Sequence, residues 1–136
     1  MVETQALLKA LTPEAAQCLG ASVLPIPVFP FRVGRESRMG ETPGFLNSRR
    51  RPDSVPNNDL YLVEKERLMN VSREHFQIER REDGYFLVDR CSVCGTLVEG
   101  IVVGKERMGG EARLENGDVI IVGTSISPYA FKFLIK

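Results

Sequence analysis

Tryptophan is absent from this sequence, histidine occurs once, and cysteine occurs three times, as Cys18, Cys91 and Cys94. An odd, small number of cysteines argues against a secreted scaffold held by disulfides. A chain of 136 residues can bury a proper core without covalent staples. Net charge is missing too, since eighteen Lys and Arg balance eighteen Asp and Glu. No global field draws the chain to nucleic acid or to an anionic membrane, so any charge-based recognition has to be local. Nothing approaches the ~18 consecutive apolar residues of a membrane span, and the opening MVETQALLKALTPEAAQCLG has neither a basic leader nor a long apolar core. These absences lead us to expect one soluble domain in a reducing, cytoplasmic setting. Catalysis is poorly provided for: there is one His, and no nucleophile elbow, Walker loop or paired-carboxylate spacing, so neither an enzyme nor a cofactor is expected.

What is present divides in two. Residues 3–19 read as helix, because Leu8, Leu11, Ala15 and Leu19 fall at helical spacings and Gly20 supplies a C-terminal stop. Thr12 and Pro13 suit an N-cap and first helical position, which would split the segment into two short helices. Residues 1–24 are therefore expected to be an N-terminal helical extension. From Pro25 onward the texture becomes short β-prone runs: Val28–Val33, Asp59–Val63, His75–Glu79, Tyr85–Asp89, Thr96–Val98, Ile101–Val103, Val119–Val122 and Tyr129–Ile135. Turn dipeptides punctuate them at Asp83-Gly84, Glu99-Gly100 and Asn116-Gly117, and the first and third suit tight hairpins. No crossover helices separate the runs, so the expected fold is an all-β antiparallel sandwich over residues 25–136. One Gly-, Pro-, Ser- and Arg-rich stretch, about residues 36–57, breaks the rhythm and is expected to be a long surface insertion. Its Arg49-Arg50-Arg51 run lacks interleaved aromatics and is followed by Asp53, a poor pattern for nucleic acid.

Taken in order, the strand ends and loops carry Gly34-Arg35, Asn58-Asp59-Leu60, Ser72-Arg73-Glu74-His75, Asp89 with Ser92, Gly95-Thr96, and Gly117-Asp118-Val119-Ile120 before Gly123. This ordered set resembles the forkhead-associated (FHA) domain, a β-sandwich that reads phosphothreonine, over roughly residues 25–136. The chemistry points the same way. A phosphate at neutral pH carries about −1.5 to −2 charge and three strong acceptor oxygens, so its reader needs a planar guanidinium fork and short hydroxyl or backbone donors. The resemblance implies that Arg35 grips the phosphate, Ser72 contacts it, and Arg73 adds a long polar contact. It also implies that His75 braces the binding loops from the interior, with Gly34 and Gly95 supporting the site. The expected partner is a phosphothreonine-containing protein or peptide, and nothing in the sequence sets an oligomeric state.

The sequence departs from the family in the later recognition loop. Where the family has Thr-Asn-Gly, this chain has Val93-Cys94-Gly95, which puts Val93 and Cys94 at the peptide. A thiol is a weak donor and a weak acceptor and cannot replace an amide that does both. Losing one such hydrogen bond costs about 1–3 kcal/mol. Phosphothreonine reading and a phosphate-independent scaffold role are both compatible with that change. The Cys91-Ser92-Val93-Cys94 spacing also raises a metal or redox site. A structural zinc site wants four ligands, however, and the only further candidates are Cys18 and His75, both distant in sequence, so no metal is expected.

Overall fold

The computed structural model describes residues 5–36, 57–63 and 70–136. Its elements in chain order are β1 (Ala6–Ala10), α1 (Pro13–Leu19), β2 (Val23–Pro25), β3 (Phe31–Arg35), β4 (Leu60–Leu62), β5 (Phe76–Arg81), β6 (Gly84–Asp89), β7 (Thr96–Val98), β8 (Ile101–Val103), β9 (Gly110–Leu114), β10 (Val119–Val122) and β11 (Ala130–Ile135). One sheet has the order β2-β1-β11-β10-β7-β8 and the other β4-β3-β5-β6-β9. All neighbours pair antiparallel except β3 and β4, which are parallel. Period-two alternation puts Phe76 and Ile78 of β5, Leu87 of β6, Ile120 of β10, and Phe131 and Phe133 of β11 fully inside, where the two inner faces meet. Among the described residues no helix is long and apolar enough to cross a membrane.

The expected helix over residues 3–11 is corrected: residues 6–10 form β1, which pairs with β11 from Ala6 opposite Ile135 to Ala10 opposite Phe131. Leu8 is buried there while Leu11 is exposed, so two leucines that share a helical stripe on paper end up in different surroundings. The edge that β11 offers outweighs the weak helical preference of a short segment. The helix starts only at Pro13. Thr12 caps it, its hydroxyl oxygen accepting from Ala15 N–H at 3.1 Å, and Gly20 ends it in the left-handed conformation.

Two turns also differ from expectation. The Glu99-Gly100 pair is a two-residue hairpin turn between β7 and β8 with both residues at positive φ, 50° and 81°. Asn116-Gly117 is not a hairpin, since it carries the chain from β9 in one sheet to β10 in the other. Residues 37–56 of the expected insertion, including Arg38 and Arg49–Arg51, lie outside the described residues.

Candidate phosphopeptide-binding groove

Strand β3 ends in Gly34-Arg35 beneath the loop that precedes β5. Arg35 N–H donates to the Ser72 carbonyl at 2.9 Å, and His75 N–H donates to the Val33 carbonyl at 3.0 Å, so the loop is stitched to the strand end. The approach is too close for any side chain at position 34. A Cβ there would lie 2.0 Å from the Arg73 carbonyl oxygen and 2.6 Å from Asn58 Nδ2. The need for glycine is thus a matter of room, not of backbone angle. Asn58, buried, fills the space that the glycine leaves. Its Nδ2 donates to the Arg73 carbonyl at 2.7 Å and its Oδ1 accepts from Arg90 Nη1 at 2.8 Å.

His75 is fully buried and ties two loops together. Its Nδ1 accepts from Ser72 N–H at 2.9 Å and its Nε2 lies 2.7 Å from the Gly95 carbonyl. A ring that accepts at Nδ1 and meets a carbonyl at Nε2 is the neutral tautomer with the proton on Nε2. Burial lowers its pKa, against a smaller raising effect of the Gly95 hydrogen bond and the Asp89 carboxylate. Ser72 adds a second tie, its Oγ accepting from Val93 N–H at 3.0 Å. The loop after β6 is folded by Asp89, which accepts from Ser92 N–H at 2.9 Å and from the Ser92 hydroxyl. Ser92 Oγ in turn accepts from Gly95 N–H at 3.1 Å.

The end of β3, the loop before β5 and the loop after β6, together with the loop between β8 and β9, surround a groove of about 560 Å³. Arg35, Ser72, Arg73 and Val93 all line it, alongside Cys91, Glu74, Arg90 and Arg107. Gly34, His75 and Gly95 sit behind it as supports and do not line it. Cys94 is half-buried and is not part of the lining, while the exposed Cys91 is. Within the groove Arg35 Nη1 reaches the Val71 carbonyl at 3.3 Å, and Arg90 lies 3.7 Å from the Glu74 carboxylate.

Sequence reading did not single out Arg90, Arg107 or the role of Asn58. The first two arrive through loop geometry that no local pattern announces. Asn58 was visible as part of an ordered motif, yet its function depends on the gap above Gly34. No group of three or more metal-ligating side chains occurs among the described residues. Both ring nitrogens of His75 are already engaged, which removes the histidine from any such grouping with Cys91 and Cys94.

The model of the FHA domain family matches residues 31–123, more than half of the chain. No curated protein matches the sequence. Among solved structures, the kinase-interacting FHA domain of the kinase associated protein phosphatase KAPP from Arabidopsis is 22% identical with a TM-score of 0.61, covering 99% of this chain and 97% of that one. The FHA domain of an Arabidopsis thaliana hypothetical protein is 21% identical with a TM-score of 0.59, covering 100% and 87%. EmbR of Mycobacterium tuberculosis, in complex with a low affinity phosphopeptide, is 20% identical with a TM-score of 0.58, and the 97% of this chain that aligns spans only 24% of that protein. A sandwich of this strand order, with Arg35 and Ser72 on one groove and Gly34 and His75 behind it, and a family match running from β3 past β10 place the chain in the FHA domain family.

Proposed function

We propose that the chain is an adaptor module that binds a phosphothreonine-containing segment of another protein through this groove. The observation that carries the reading is the meeting of Arg35, Ser72 and Arg73 around one groove. A guanidinium fork grips two phosphate oxygens at once. Ser72 Oγ, already accepting from Val93 N–H, keeps its own proton to donate. The bracing beneath supports the same reading: Gly34, Asn58 and His75 hold the loop backbone in place, so little ordering entropy remains to be lost on binding. EmbR, a structural relative, is seen with a phosphopeptide, which fits the same use of the fold. A catalytic role gains no support, because the single histidine is buried with both nitrogens occupied and cannot reach a substrate.

The test is calorimetric titration with a peptide selected from a phosphothreonine library and with its unphosphorylated twin. Arg35→Ala should cost roughly 2–5 kcal/mol, about thirty- to several-thousand-fold in affinity, with the melting temperature retained. Arg35→Lys should rescue only part of the loss, since an ammonium lacks the planar fork. Equal binding of the two peptides by the unmodified chain would sink this reading. It would favour instead a phosphate-independent scaffold, the alternative motivated by a thiol at Cys94 in place of a peptide-holding amide.

A further inference from the structure

Resting on that reading, we propose that the groove selects a phosphothreonine accompanied by a second anion on the same peptide, a carboxylate or another phosphate, and that Arg107 reads it. The first argument is charge. Arg35, Arg73, Arg90 and Arg107 face one groove in which Glu74, beside Arg90, is the only carboxylate among the described residues. One phosphate, at about −1.5 to −2, leaves part of this positive charge unanswered. The side chains of Arg73 and Arg107 have no ion-pair partner among the described residues.

The second argument is backbone conformation. Lys105, Glu106 and Arg107 stand in succession at φ 107°, 54° and 63°, after Gly104 at 79°. Three consecutive residues bearing a Cβ in this region are disfavoured, and a plain turn would be made more easily with glycine. The conformation is held from outside. Glu106 N–H donates to the Val93 carbonyl and Arg107 N–H to the Ser92 carbonyl, each at 2.8 Å. Gly104 packs so tightly on the Asp89 carboxylate that a Cβ would lie 2.3 Å from its Cγ. The loop is therefore fastened to the very segment that lines the groove through Val93, and Arg107 is delivered to the groove by a strained but over-determined path.

The experiment uses the full chain and one phosphothreonine peptide with neutral flanks. It is compared with versions carrying a single glutamate, or a single phosphoserine, at each flanking position in turn. The readout is the ratio of flanked to neutral affinity. At one or a few neighbouring positions the ratio should reach about tenfold for the unmodified chain, fall to about one in Arg107→Gln, and recover in part in Arg107→Lys. Arg113→Gln removes the same charge from β9, outside the groove, and should keep the tenfold ratio. The glutamate and phosphoserine arms tell a carboxylate from a phosphate. A ratio near one at every position, a ratio that survives Arg107→Gln, or one that falls equally in Arg113→Gln overturns the inference while leaving phosphothreonine binding standing. Indifference of the unmodified chain to the threonine phosphate overturns both.

Discussion

His75 shows how one side chain can fix a site without touching its ligand. The ring spans from Ser72 N–H to the Gly95 carbonyl, so the loops on two sides of the groove share one rigid spacer. The spacer works only in the neutral form, because a protonated Nδ1 would point a donor at the Ser72 N–H, itself a donor. The pH consequence has a definite sign. With the folded pKa lowered by burial, the unfolded chain binds the proton more readily, so stability is complete above the unfolded value near 6.5 and is lost as pH falls from there toward the lowered folded value. Denaturant melts between pH 7.5 and 5 should show this decline, with a slope of at most about 1.4 kcal/mol per pH unit for one proton. His75→Asn should be less stable at neutral pH and should lose most of that slope. An unchanged slope in the variant would assign the acid sensitivity to other groups.

At the scale of elements, what could be read in advance tracks how a strand announces itself. β5, β6, β10 and β11 alternate buried and half-buried residues, and their runs in the sequence coincide with the strands to within a residue or two. β9 does not: its Gly110-Glu111-Ala112-Arg113-Leu114 run is charged and buries only Leu114, because it forms the edge of its sheet beyond β6. β1 was hidden for another reason. Its Leu8 falls at a helical spacing with Leu11 just beyond the strand, while Ala6, Leu7 and Leu8 are buried in succession without strand alternation, and only the partner strand from the far end of the chain decides the conformation. Arg35 and Ser72 were legible because each sits in a short ordered motif. Arg90 and Arg107 were not, since their approach depends on hydrogen bonds between loops. The strand assignment predicts unequal leucines. Leu8→Ala should cost about 2–5 kcal/mol as a buried truncation, whereas Leu11→Ala, at 41% exposure, should stay within about 0.5 kcal/mol. Comparable losses at both positions, measured by urea titration, would restore the helical stripe.

For the molecule as a whole, the parallel pairing of β3 with β4 sets a condition that the other, antiparallel, contacts do not. Val33 faces Leu60 and Arg35 faces Leu62, with Glu36 N–H donating to the Leu62 carbonyl and Asp59 N–H to the Arg32 carbonyl. β3 ends at Arg35 beside the groove, whereas Leu60, the first residue of β4, lies beside Val33, behind that end. A connection between two parallel strands has a minimum length of about a dozen residues. Removing residues 44–53 still leaves more than the roughly dozen residues that a parallel crossover needs, so hydrogen-exchange protection at Glu36 and Asp59 should persist. Joining residue 36 to residue 57 through a four-residue turn should abolish that protection and uncover Leu62 while leaving β5 and β6 paired. Retained protection in the short version would mean that β4 can dock by another route. The parallel register thus turns the number of residues between Arg35 and Leu60 into a condition on the fold, whatever those residues are.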